Sequence, residues 1–349
     1  MAKKKNTKRK SSPSRIIKIA ASVAVALCVA FVAAFGNYMF TSAKADTTIY
    51  IRRGITNEQL TDSLTKHLGA EYAGKVMSLL RLTRADMAKR QGAFKVTKGE
   101  SALRLARHLR GGAPSSITLT LNNIRTKREL ADRIGSLYMM GRDSIWQALN
   151  DPQLCAKYGL NTDNVVCLML PDTYDFYWDI TARQLLDRMH DYYNDFWTDR
   201  RRREAADLGL KPEEVVTVAS IAEEESAKPD ERGKIGRLYI NRLHDGMRLQ
   251  ADPTVKFAIG DFSIRRITVA MTQCKSPYNT YRNQGLPPGP IRLPEKKTID
   301  DILTSEPHNY MYMCAKEDFS GYHNFAATYE QHRAFAKKYQ DALNKRGIK

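Results

Sequence analysis

The sequence predicts an α+β chain with a single N-terminal transmembrane helix, and three observations carry that reading. Short alternating strand patterns are scattered among longer stretches of helical period. A long uncharged run follows a strongly basic start. The length of 349 residues suits two modest domains plus accessories and is ample for a real core.

Residues 1–18 carry Lys3, Lys4, Lys5, Lys8, Arg9, Lys10, Arg15 and Lys18 with no acid among them, a large part of the formal net charge of +18. Such a run suits nucleic acid or anionic lipid, and its neighbour decides for lipid. Residues 19–40, IAASVAVALCVAFVAAFGNYMF, hold no charge and have the length of a helix that crosses a hydrocarbon core. Basic residues before this run and Asp46 after it place the N-terminus in the cytoplasm and the remaining chain outside it. Ala43-Lys44-Ala45 has the form of a signal-peptidase site, but the apolar run is long for a signal peptide, which favours an uncleaved anchor. Nucleic acid is not an expected partner; anionic membrane lipids are. Cys155, Cys167, Cys274 and Cys314 would then face a compartment that permits disulfides, and their pairing stays open. No His/Cys spacing points to a metal.

Residues 46–115 read as a small module. TTIYIRRG is a strand, and residues 55–68 form a helix capped by Thr56 or Asn57. A second helix is expected over 76–88, a strand over 92–97, a turn at Lys98-Gly99-Glu100, and a helix over 101–109 closed by Gly111-Gly112.

Residues 116–349 form the larger part. ITLTL at 117–121 is a strand. IYIRRGITNEQLTDSL and LTLNNIRTKRELADRI echo each other weakly, a strand-plus-helix unit used twice. Residues 136–157 are mostly helical. LMLPDTYDFYWDI is dense in aromatics that suit a core better than a sugar platform, and residues 182–206 form one amphipathic helix. Residues 230–244 are helical, with Ile235, Leu238, Tyr239 and Leu243 as the apolar face. MRLQAD is extended. The tract at 276–294 carries five prolines and two glycines, so it is an ordered loop and not a regular element. Strands at 310–314 and 321–325 and a helix at 330–345 close the chain.

The chemistry gathers at VVTVASIAEEE. Val215, Val218, Ala222 and Glu225 fall on one helical stripe, so Glu225 continues the buried face while Glu223 and Glu224 swing away. A carboxyl on an apolar stripe has a raised pKa, which makes a general acid. A solvated helix end is the alternative.

The blocks SIAEEE-x5-ER, INRL, MRLQADPT, YNTY, GLPPGPI and HNF occur in this order, with LPDTY upstream. Over residues 168–325 the chain resembles the endolytic murein transglycosylases, the YceG-like (MltG) family. FKVTKGESALRLARHLRGG resembles the LysM-like module found beside wall-cutting enzymes. The resemblance implies a bacterial inner-membrane protein: a basic tail (1–18), a transmembrane helix (19–40), a LysM-like module (46–115) and an extracytoplasmic YceG-like catalytic domain (116–349). That domain would cut nascent peptidoglycan within the strand, beside wall synthases. The family's catalytic acid falls on Glu225. Where many members have lysine, this chain has Glu224, a charge that would raise the pKa of Glu225 further or be solvated and silent.

A lytic transglycosylase needs one acid that later acts as base, no cofactor and no metal. Asn241, Gln250 and Asn279 are amide candidates for sugar contacts, and Tyr278 and Tyr281 could stack or donate. His323 is a cleft-wall hydrogen bonder, and Glu223 holds a neighbouring helix through Arg232 or Arg242. Asp252 is either an Asp-Pro turn or a second carboxylate facing Glu225, which would make a hydrolytic muramidase. The rival of another class is a catalytically idle glycan-binding scaffold. A pyridoxal-phosphate lyase is disfavoured by the export signal.

Overall fold

The computed structural model describes residues 13–347, so most of the expected basic tail lies outside the described residues. The chain divides into two compact units: the chain up to Ser116 together with Tyr177–Asp179, and Ile117–Phe176 together with Ile180–Lys349.

The first unit opens with α1 (Pro13–Phe40), one continuous helix that contains the uncharged run. Among the described residues no helix is long and apolar enough to cross a membrane. After it come β1 (Thr47–Ile51), α2 (Asn57–Leu68), α3 (Ala70–Leu82), β2 (Gly92–Val96) and α4 (Ala102–Gly111). β1 and β2 pair antiparallel, with Ile49 opposite Phe94. Alternation along β1 sends Ile49 and Ile51 inward onto Leu60, Leu64, Leu105 and Leu109. Thr56 starts α2 through a reciprocal cap with Gln59. The second helix begins six residues before its expected start and ends at Leu82, not 88. Gly69, at φ 88°, turns the chain between α2 and α3, and Arg84, at φ 51°, ends the helical path after α3.

The second unit runs β3 (Ser116–Thr120), α5 (Lys127–Leu137), α6 (Gly141–Leu149), α7 (Pro152–Lys157), β4 (Thr173–Tyr177), α8 (Ala182–Phe196), α9 (Asp199–Asp207), α10 (Pro212–Glu225), α11 (Pro229–His244), α12 (Asp252–Ile259), α13 (Lys296–Leu303), β5 (Tyr312–Ala315), β6 (His323–Ala326) and α14 (Tyr329–Lys345). β3 pairs with β4, and β5 pairs antiparallel with β6. The helix expected over 182–206 is two. Buried Trp197 leaves the helical path, and Thr198 caps α9 by accepting from the Arg201 amide. Asp252 opens α12 with Pro253 in its first turn, where an extended segment running into an Asp-Pro turn was expected. Tyr174 and Phe176 are core residues, while Tyr177 is exposed. All five cysteines are free thiols.

The centre of the second unit is α10. Every side chain from Val215 to Glu223 is buried, because α11, α12 and α13 all pack against this helix. A helix covered on several faces is mostly apolar, and its buried polar members Thr217, Ser220 and Glu223 are each hydrogen-bonded. α11 meets α13 at very short range through Gly233 and Gly236. A Cβ on Gly236 would sit 2.5 Å from Ile302 Cγ1, and one on Gly233 2.5 Å from the Asp301 carbonyl. The proline tract has no regular structure. It is tied to α10 where the Ile291 amide donates to Ser220 Oγ at 3.0 Å.

Candidate active site

The three consecutive glutamates at the end of α10 have three different surroundings. Glu223 is only 5% exposed, so the stripe that placed it away from the core does not hold. Its carboxylate accepts from the Glu295 amide at 2.9 Å and Thr298 Oγ1 at 2.8 Å, and it lies 3.1 Å from Arg292 Nε and 3.5 Å from Arg232. It pins α10 to the start of α13. Of the two arginines expected to hold it, Arg232 does and Arg242 does not. Glu224 pairs with Arg292 at 2.7 Å and with Arg125 at 3.0 Å. A neutralised Glu224 leaves the electrostatics of Glu225 to other groups.

Glu225 is the last residue of α10 and the least tied of the three. Tyr239 Oη, from the middle of α11, donates to its Oε1 at 2.7 Å. Burial pushes the carboxyl pKa up to about 7, and the negative charge of Asp252 adds to the rise. The Tyr239 hydrogen bond and the charges of Arg242 and Lys256 oppose it. Tyr239 is itself pushed well above 10, chiefly by burial and then by the Glu225 charge, so its hydroxyl keeps its proton.

Asp252 accepts a hydrogen bond from Tyr281 Oη at 2.7 Å. Burial and this bond raise the Tyr281 pKa, and the Glu225 charge contributes too. Asp252 and Tyr281 therefore stand in the electrostatic neighbourhood of Glu225. Gln250, two residues before Asp252, is exposed and has a left-handed backbone at φ 48°, fixed by its amide donating to the Thr280 carbonyl at 3.2 Å. Arg242 is held by the carbonyls of Met311 and Leu249.

The other candidates sit elsewhere or are otherwise engaged. Asn241 donates to the carbonyls of His308 at 2.7 Å and Tyr310 at 3.1 Å. Asn279 is fully buried, with its amide nitrogen on the carbonyls of Thr272 and Cys274 and its oxygen capping Tyr281 N. It shapes the loop that presents Tyr281. Tyr278 packs on Phe257, with ring centroids 4.7 Å apart, and borders a small cavity beside Arg125, Lys127 and Arg292. His323, on β6, pairs with Glu231 at 2.9 Å. The structure thus sets Glu225 in the field of Asp252, which Tyr281 holds, and Gln250 lies two residues before Asp252 in the chain. Sequence reasoning passed over Tyr239, Arg242 and Lys256 as site residues. Tyr239 counted as one apolar position among several on α11, and only its hydroxyl marked it as different.

The end of a core helix on an α+β scaffold thus carries a carboxyl whose pKa is pushed up to about 7, in the field of a second carboxylate. The chain belongs to the YceG-like family, whose model matches residues 49–338. It is similar to the endolytic murein transglycosylase of Bacillus subtilis (strain 168), 36% identical over 132 residues, 38% of this chain and 36% of that one. It is also similar to the endolytic murein transglycosylase of Streptococcus pneumoniae serotype 2 (strain D39 / NCTC 7466), 24% identical over 312 residues, 78% of this chain and 55% of that one. The chain thus spans about half, or less, of the length of these curated relatives. A crystal structure of a YceG-like protein from Listeria monocytogenes shares the fold, with a TM-score of 0.54 and 23% identity, covering 84% of this chain and 99% of that one.

Proposed function

We propose that this protein is a membrane-anchored endolytic lytic transglycosylase. It cuts nascent peptidoglycan strands between N-acetylmuramic acid and N-acetylglucosamine and leaves 1,6-anhydro-muramic ends. The observation that carries this reading is Glu225, a half-buried carboxyl at the end of a core helix whose surroundings push its pKa up to about 7. The names of the curated relatives support it. Protonated Glu225 gives its proton to the oxygen that leaves muramic acid C1. The resulting carboxylate then takes the proton of that sugar's C6 hydroxyl, whose oxygen closes on C1. The nucleophile is part of the substrate, so its effective concentration is high and no water is consumed.

Anchoring is part of the proposal. α1 leaves large apolar side chains exposed, among them Val25, Leu27, Val29, Phe31 and Val32, and holds no charge from residue 19 onward. The anchor would lie in the bacterial inner membrane with the basic tail on anionic lipids and both units outside the cytoplasm, where the enzyme could end glycan polymerisation beside a wall synthase. β2, the Gly99 turn and α4 supply the strand and capped helix of the LysM-like reading.

Asp252 favours a second reading. Its charge acts on Glu225, so a two-carboxylate muramidase that adds water has a candidate pair. Product analysis separates the readings. Full-length protein in detergent is incubated with uncrosslinked glycan strands, beside Glu225→Gln, and fragments are weighed by mass spectrometry. Internal fragments with anhydro ends, lost in the variant, are expected. Reducing ends heavier by one water would replace the proposal with the muramidase. Intact strands that still bind both proteins would leave a scaffold.

A further inference from the structure

We propose that Tyr239 is the positioning residue of Glu225: its hydroxyl occupies Oε1 as a donor, so the proton that moves in the reaction stands on Oε2. The inference rests on the reaction proposed above. Its basis is the 2.7 Å contact between Tyr239 Oη and Glu225 Oε1, and no other hydrogen bond reaches this carboxyl among the described residues. Tyr239 is only 2% exposed, so its ring is fixed by the core that holds α11 against α10. Arg242 lies over the same ring at 6.0 Å, itself fastened by the carbonyls of Met311 and Leu249. Among the described residues the Tyr239 hydroxyl has no other acceptor, so its proton points at Oε1. The proton is therefore left to the other oxygen, which is the one free to meet substrate.

The arrangement serves both halves of the reaction. Oε2 gives its proton to the glycosidic oxygen as the C1–O bond breaks, and the bonding electron pair goes to that oxygen. Glu225 is then a carboxylate, and Tyr239 still donates to Oε1, a bond that strengthens when its acceptor is charged. Oε2 next takes the C6 hydroxyl proton as that oxygen bonds to C1. One proton leaves and one returns, and Tyr239 never ionises. The remaining charges around Glu225 come from Asp252 and Lys256 on α12 and Arg242 on α11, and Tyr281 senses Glu225 from the following loop.

The test is Tyr239→Phe in the full-length protein, with the Glu225 carboxyl titrated by carbon-13 NMR and its signal assigned by its loss in Glu225→Gln. A hydrogen bond to the charged form is removed, so the midpoint should rise by about 1 pH unit. On glycan strands kcat should fall about 10-fold with KM within about twofold, and the alkaline limb of the pH profile should follow the titration upward. An unmoved midpoint, or an unchanged kcat, would overturn the assignment. If the phenylalanine variant does not fold, 3-fluorotyrosine at position 239 keeps the bond with a stronger donor. The midpoint must then fall, and a midpoint that stays or rises overturns the assignment as well. The titration needs no substrate. A protein that cleaves no glycan while its midpoint still responds would refute the proposed reaction and leave the Tyr239 contact established.

Discussion

Three adjacent glutamates show how far surroundings, and not residue type, decide what a carboxyl does. Glu223 is a buried clamp, Glu224 a half-buried ion-pair partner, and Glu225 a carboxyl whose pKa its surroundings raise. The proton affinity of Glu225 has a measurable effect on stability. Its pKa is about 7 in the folded state against an ordinary 4.5, so folding favours the protonated form. That stabilisation is complete below the ordinary value and lost as pH rises through 7. Glu225→Gln cannot lose it, so between pH 4 and 8 the stability of Glu225→Gln relative to the parent should grow by about 3 kcal/mol. Urea unfolding of both proteins across that range measures the gap; parallel curves would refute the raised pKa. Glu225 was legible as a stripe position, three residues beyond Ala222. The structural role of Glu223 was legible but its burial was not, because a stripe argument assumes one buried face and α10 has neighbours on several. Asp252 was legible only as a pair of alternatives. Asn241, Asn279 and His323 look like ligand-binding types in a sequence, yet their partners are backbone carbonyls and Glu231, local for Asn279 and far along the chain for Asn241 and His323.

Elements are placed by a few close approaches. The α11–α13 crossing depends on Gly233 and Gly236, one turn apart on the same helix face. Gly236→Ala should cost about 1–3 kcal/mol, because a Cβ would press on the branched Ile302 side chain, which has little room to move. Thermal unfolding reads the loss, and the pair Gly236→Ala with Ile302→Val should recover part of it. An alanine variant as stable as the parent would show that α13 moves away freely. The eight-residue helices α12 and α13 were too short to show a period, whereas for the longer helices identity was legible from periodicity. Helix ends were less so. α8 and α9 share one amphipathic pattern, and the break between them comes from how Trp197 packs, which local composition does not reveal. The shift of α3 follows from Gly69, whose left-handed turn was overlooked because both flanking segments favour helix. The proline tract was legible as an ordered loop, but not its anchor on Ser220.

For the whole molecule, charge and apolar exposure point the same way. The formal net charge is +18, and its densest basic run directly precedes the uncharged part of α1, whose valine, leucine and phenylalanine side chains are exposed. Full-length protein should reconstitute into vesicles of phosphatidylglycerol and phosphatidylethanolamine and stay there after an alkaline carbonate wash. Protein lacking residues 1–40 should remain in the supernatant, and co-sedimentation of that truncated form would refute anchoring by α1. The left-handed backbone of Gln250 bears on the molecule's evolution. A glycine there would take up the same turn without the steric cost, so Gln250→Gly should raise the melting temperature by an amount equal to about 1 kcal/mol. The same change would remove an exposed amide two residues from Asp252 and slow turnover. A chain that keeps glutamine at this position retains a less comfortable turn in exchange for an exposed amide side chain. Selection for heat tolerance alone would be expected to discard that residue early.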